Sequence, residues 1–157
     1  MYQRRLQTTQ RDVEQNQTKT LRVLVVDDNQ VFLRFLERYL KSVDDLRTTT
    51  VGRAENGMQA VELARALRPD LILMDVAMPK LSGIAAAKII RKEGCRSKIV
   101  IITAHDIAEY RRAAFAAGAD AFVAKDELFD NLSSTLCKLF STDSEGIGGH
   151  FQSEGEG

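Results

Sequence analysis

No apolar run in this sequence comes near the ~18 residues that a membrane-spanning helix requires. The longest, such as Ile99 to Ile102, are the length of a strand. The N-terminus has no apolar segment behind its arginines, so no secretory signal and no membrane association are expected. Cysteine is scarce. Cys95 and Cys137 stand apart without metal or redox spacing, which points to free thiols in a reducing, cytoplasmic setting. An excess of charge is also missing, since 22 Lys and Arg balance 22 Asp and Glu. No segment carries the dense basic stripe of a nucleic-acid footprint, so direct nucleic-acid binding by this chain is not expected. There is no GxGxxG, no P-loop, no Cys/His metal cluster and no internal repeat.

What remains is an ordinary globular balance, 44% hydrophobic and 28% charged over 157 residues. That length is one domain of about 100–200 residues with tails. Residues 1–20 are rich in Gln, Thr and Arg and carry a charge of +2; they read as a disordered arm. Residues 141–157 are rich in Gly, Ser and Glu, carry −4, and read as a disordered acidic tail. Between them, 21–140 form the folded domain.

Within that domain short apolar runs alternate with amphipathic stretches. Leu21–Val26 is β-branched and reads as a buried strand. Asn29 is an N-cap for a helix whose apolar side runs through Phe32, Phe35, Leu36, Tyr39, Leu40 and Val43. A weaker strand spans Thr48 to Ala54. Asn56-Gly57 reads as a turn, and Ala60, Val61, Ala64 and Leu67 trace a second helix that Pro69 ends. Leu71–Met74 is the third strand. A loop from Met78 to Gly83 leads to a third helix marked by Ile84, Ala87 and Ile90. Ile99–Ile102 is the fourth strand, followed by a helix through Ile107, Tyr110, Ala114 and Ala117 that Gly118 closes. Ala121–Ala124 is the fifth strand, and Leu128, Leu132, Leu136 and Leu139 give the last helix. Five strand–helix units imply right-handed crossovers and an α/β doubly wound parallel sheet. Strand two, with Arg47, three threonines and Arg53, is polar enough for an edge. This favours the order 2-1-3-4-5, a flavodoxin-like (βα)5 fold.

In such sheets the ligand site lies beyond the carboxyl ends of the strands, where the strand order reverses. Asp27 and Asp28 follow strand one, Asp75 follows strand three, Thr103 ends strand four, and Lys125 follows strand five. Taken singly, each has a plain reading: a helix cap, a turn residue, a strand end, a surface lysine. Taken together they place three carboxylates, a hydroxyl and an ammonium at one end of the sheet. Clustered carboxylates repel and call for a hard cation, and Mg²⁺ suits one or two of them with waters and a phosphate oxygen. The cluster is suited to an acyl phosphate on an aspartate, with Lys125 and Thr103 binding its oxygens.

These residues sit in VLVVDDN (Val23 to Asn29), LILMDVAMPKLSG (Leu71 to Gly83), IVIITAH (Ile99 to His105) and AGADAFVAKDE (Ala117 to Glu127). The set resembles the receiver domain of two-component response regulators over about residues 21–140. The resemblance implies that Asp75 accepts the phosphoryl group. It implies that Asp28, Asp75 and the Ala77 backbone carbonyl hold Mg²⁺, with Asp27 acting mainly through water. Lys125 would pair with the phosphoryl group while Thr103 and Phe122 move in concert. The donor would be a sensor histidine kinase, a histidine phosphotransfer protein or a small phosphodonor. The signal would leave through the face of the fourth helix, fifth strand and fifth helix, toward an output partner the sequence does not identify. Catalysis would be confined to the domain's own phosphorylation and dephosphorylation.

Several positions depart from the commonest pattern. Asp126 stands where many receivers have proline, as in receivers joined to helix–turn–helix domains. Phe122 replaces a frequent tyrosine. Ala77 and His105 flank the path of the hydrolytic water in this family; Ala77 has nothing to orient it, and His105 could block or bind it. A fairly long-lived phosphoaspartate is the expectation, with an ordinary loop histidine as the plain alternative. The segment after Phe140 is too short for an output domain, so the chain reads either as a stand-alone receiver or as a piece of a DNA-binding transcriptional regulator. Two other classes fit less well. A Mg²⁺-dependent hydrolase would carry Asp-x-Asp after strand one and a cap, and a flavin module would carry a hydroxyl-rich loop where this chain has two aspartates. Tyr110, Arg111, Arg112, Lys138 and Phe140 are read as exposed and available for a homodimer, or as ordinary solvated surface.

Overall fold

A computed structural model describes residues 19–141. The expected arm and acidic tail lie outside the described residues, except at their inner edges. The elements are β1 (Leu21–Val26), α1 (Gln30–Ser42), β2 (Thr48–Ala54), α2 (Gly57–Leu67), β3 (Leu71–Met74), α3 (Gly83–Lys92), β4 (Lys98–Thr103), α4 (Ala108–Ala116), β5 (Ala121–Ala124) and α5 (Leu128–Ser141), with a 3₁₀ turn at Lys125–Glu127. All strand pairs are parallel, in the order β2-β1-β3-β4-β5. The polar strand is therefore at the edge, as its composition predicts. Its register against β1 slips between Val23 and Leu24, where Val51 is the extra residue.

Strand side chains alternate between two cores. Leu24, Val26, Ile72, Met74, Ile99, Ile101 and Phe122 face α2, α3 and α4. Val23, Val25, Leu71, Leu73, Val100, Ile102 and Val123 face α1 and α5. Continuous apolar strands are what a sheet covered on both faces needs.

The helix boundaries follow local chemistry. Asn29 Oδ1 accepts from the Val31 and Phe32 N–H groups at 3.0 and 3.1 Å, as the capping reading requires. Asn56, read as part of a turn, is a second N-cap: its buried side chain accepts from Gln59 N–H at 2.9 Å. Gly118 adopts φ +100° just past α4, the left-handed conformation expected of it. Three readings need correction. The buried residues of α1 are Leu33, Leu36 and Leu40, while Phe32, Phe35 and Tyr39 lie on its flank. Ile107 is exposed at the start of α4 and is not core. Tyr110 and Phe140 are half-buried against the two cores, so only Arg111, Arg112 and Lys138 of the proposed surface group are exposed.

Arg91, in the last turn of α3, ties the lower loops together. Its guanidinium donates to the carbonyls of Gly118, Cys95 and Ser97 at 2.8, 3.0 and 2.6 Å. It also pairs with Asp120 at 2.6 Å, and the same Asp120 oxygen accepts from Ile99 N–H at 2.8 Å. Arg91→Ala strips these carbonyls and a carboxylate of their donor in a half-buried place. Equilibrium urea unfolding is expected to show a loss of about 2–4 kcal/mol. Arg91→Lys should recover under half of it, because an ammonium cannot span the fork.

Candidate phosphoacceptor site

The five residues picked from strand ends do meet at one end of the sheet. Asp27 and Asp75 are neighbours because β1 and β3 are adjacent, and each continues its strand with a ladder bond: Asp27 N–H to Ala54 O at 3.0 Å, Asp75 N–H to Val26 O at 3.0 Å. Asp27, Asp75 and Thr103 are buried, whereas Asp28 is exposed at the rim. One oxygen from each of Asp27, Asp28 and Asp75 lies within 4.8 Å of the others.

Lys125 reaches into this cluster from the end of β5. Its Nζ donates to Asp27 Oδ2 at 2.7 Å and stands 3.6 Å from Asp75 Oδ2. The other oxygens have local donors. Asp27 Oδ1 accepts from Asn29 N–H at 2.8 Å, and Asp75 Oδ1 accepts from Val76 N–H at 2.8 Å. Thr103 Oγ1 accepts the His105 N–H at 3.2 Å, and His105 and Ala77 are both exposed on their loops. Phe122 is buried in the core between the sheet and α2, α3 and α4. The Arg111 guanidinium lies 5.0 Å from its ring centroid and is paired with Asp106 at 2.8 and 3.0 Å.

Burial pushes the Asp75 carboxyl above the ordinary carboxylate range; the Lys125 ammonium and the Val76 N–H oppose this, and Asp27 and Asp28 add to it. One ammonium thus faces three carboxylates. A hard divalent cation fits this all-oxygen donor set, since it would relieve the repulsion that burial magnifies.

A profile of the family described as the response regulator receiver domain matches residues 23–136. This chain belongs to that family. The transcriptional regulatory protein MctR of Rhizobium johnstonii is 33% identical over 117 residues, which are 74% of this chain and 53% of that protein. The nitrate/nitrite response regulator protein NarL of Escherichia coli is 33% identical over 114 residues, 73% of this chain and 52% of that one. The chain spans about half the length of these curated relatives. Among solved structures, the signal receiver domain of the putative response regulator NarL from Mycobacterium tuberculosis matches with a TM-score of 0.68 at 30% identity, covering 82% of this chain and 98% of that one. The response regulator domain of Thermotoga maritima CheB matches with a TM-score of 0.67 at 31% identity, covering 79% and 96%. Receivers of this kind generally signal rather than catalyse, and they generally bind Mg²⁺ at an acidic pocket. Among the described residues no helix of this receiver is long and apolar enough to cross a membrane.

Two neighbours of the site were not picked from the sequence. From the sequence Arg111 reads as a dimer face or solvated surface, and Phe32 as helix core. The Phe32 ring centroid lies 4.2 Å from Lys125 Nζ. A phenylalanine on the first turn of the helix that follows Asp27-Asp28 was the available signal, but helical periodicity does not say which strand end its ring will meet.

Proposed function

We propose that this receiver accepts a phosphoryl group on Asp75 from a phosphohistidine of a sensor kinase or phosphotransfer protein. The observation that carries this reading is the buried Asp75, with one carboxylate oxygen tied to Val76 N–H and the other facing Lys125. An Asp75 oxygen attacks phosphorus; the phosphorus–nitrogen bond breaks, and its electron pair stays on the departing imidazole. Asp28, Asp75 and the Ala77 carbonyl would hold Mg²⁺, with Asp27 acting through water, and the ion would supply charge neutralisation for the transferring oxygens. Lys125 then leaves Asp27 to pair with the new phosphoryl oxygens. Thr103 exchanges its contact with His105 N–H for one of them. The Asp106–Arg111–Phe122 contact links that loop to β5, so the change is passed to the face of α4, β5 and α5. That face binds an output partner or a second copy of the chain. Two free, half-buried cysteines suit a cytoplasmic setting.

The test is intact mass after incubation with acetyl phosphate, with and without Mg²⁺. One phosphate adduct that needs the metal is the expected result; an adduct that forms equally without it would overturn the site. The same sample gives the lifetime. Ala77 has no group to orient water, so the adduct should persist after the donor is removed, and decay as fast as the quickest chemotaxis receivers would refute this. A second reading, that the receiver serves a DNA-binding transcriptional regulator, is favoured by relatives of about twice this span that are named transcriptional regulatory proteins.

A further inference from the structure

We infer that Phe32 is a positioning residue for Lys125 and passes the ammonium's position to an aromatic cluster on the outer side of α1 and α5; this rests on the phosphoacceptor reading above. Lys125 Nζ is held on three sides. Asp27 Oδ2 takes one at 2.7 Å, Asp75 Oδ2 faces another at 3.6 Å, and the Phe32 ring closes the third at 4.2 Å. The side chain of Lys125 is 20% exposed, so the ring stands where water would otherwise solvate the charge. A cation over an aromatic face is attracted by the ring quadrupole, and more strongly as water is removed. The ring therefore keeps the ammonium inside the acidic cluster.

Phe32 does not end in isolation. Its ring centroid is 6.1 Å from that of Phe35, which meets Phe129 edge-on at 5.4 Å, and Phe129 in turn meets Tyr39 edge-on at 5.4 Å. Phe129 is 66% exposed on the first turn of α5, four residues beyond Lys125, so a line of touching rings runs from the site to the surface. When Lys125 moves toward a phosphoryl oxygen on Asp75, the charge leaves the face of Phe32. The ring loses its attraction on that side and the cluster resettles. Phosphorylation is then registered on the α1–α5 side as well as through β5.

The experiment uses the whole chain with Phe32→Leu, Phe32→Met and Phe32→Tyr. In the metal-free wild type the Lys125 side-chain methylene proton signals should be shifted upfield by the ring current, kept in the tyrosine variant and lost in the other two. Titration with beryllofluoride and Mg²⁺, standing in for a phosphoryl group on Asp75, should half-saturate at about threefold to tenfold lower concentration in the leucine and methionine variants, because the contact that Lys125 must give up is already gone. Tyrosine should restore it. The Phe35 and Phe129 ring signals should move on saturation in the wild type and stay put in Phe32→Leu. A Phe32 that serves only as packing would lower the melting temperature without changing these readouts. Absence of the upfield shift in the wild type overturns the inference, whatever the titration shows. Equal beryllofluoride binding by wild type and Phe32→Leu overturns it too. A wild type that shows the ring-current shift but binds no beryllofluoride bears out the contact and overturns the receiver chemistry on which its role rests.

Discussion

Asp75→Asn is expected to take no phosphate adduct and, at the same time, to melt higher than the wild type in metal-free buffer at neutral pH. The two effects have one origin. An amide cannot attack phosphorus, so the reaction is lost outright. The amide oxygen still accepts the Val76 N–H that Oδ1 now takes at 2.8 Å, so the local structure survives. What disappears is a buried carboxylate beside Asp27 and Asp28. Its pKa is raised on folding, first by burial and then by those two neighbours. A group whose folded pKa lies above its unfolded value of about 3.9 contributes stability fully below the unfolded value. That contribution is lost as pH rises through the folded pKa. At neutral pH the wild type therefore carries the whole penalty and the asparagine variant none. The gap in melting temperature should close as the pH is lowered into the range where Asp75 is protonated. Lys125 keeps its 2.7 Å bond to Asp27, so no cation is stranded by the change. Mg²⁺ should stabilise the wild type through its carboxylates and the variant less. Scanning calorimetry from pH 4 to 7, with and without Mg²⁺, reads all of this. A variant that melts lower at every pH would show that Lys125 gains more from Asp75 than burial takes away.

The strands and the site were legible for the same reason. A parallel sheet buried on both faces demands unbroken apolar runs, and each run stops where a polar residue begins. Asp27, Asp75 and Lys125 directly follow such runs, and Thr103 ends one, so the strand ends and the site were read in one step. Asn29 was legible because a cap acts within three residues. What failed were choices that need a third dimension. Val31, Phe32 and Leu33 are all apolar, and sequence alone does not say which faces the sheet; Val31 is 74% exposed while Leu33 is fully buried. Arg91 has the pattern of an ordinary basic residue at a helix C-terminus. Its partners Gly118 and Asp120 come from the turn after α4, brought near only by the pairing of β4 with β5. Phe32 and Lys125 meet because β1 and β5 both end on the same side of the sheet, a consequence of topology rather than of any local pattern.

The loop that carries Asp75 makes the second large prediction, Gly83→Ala. Gly83 opens α3, and its N–H donates to Val76 O at 2.9 Å, folding the Val76–Ser82 segment back on the strand end. This close approach leaves no room for a side chain. A Cβ at position 83 would stand 1.8 Å from the Asp75 carbonyl oxygen and 2.8 Å from its carbonyl carbon. The obstacle is backbone, which cannot turn aside as a side-chain end can. Either α3 withdraws from the sheet or the Asp75 peptide is displaced, and both break core contacts of Ala86, Ala87 and Ile90. Ordinary overpacking costs about 1–3 kcal/mol, and a clash against backbone should exceed about 4 kcal/mol. For a domain of this size the melting temperature should then fall by roughly 10 °C or more. Gly94→Ala is the control. Gly94 sits at φ +82° with nothing within 4 Å of a built Cβ, so it tests conformation without collision and should cost only about 1 kcal/mol. If Gly83→Ala proves no worse than Gly94→Ala, the close packing of α3 against the Asp75 carbonyl is not what holds this loop. If it is far worse, and the folded fraction also phosphorylates more slowly, the same glycine that lets the helix start fixes the position of the phosphoacceptor. Stability and phosphorylation would then fall together for a reason that lies in the backbone rather than in the carboxylate.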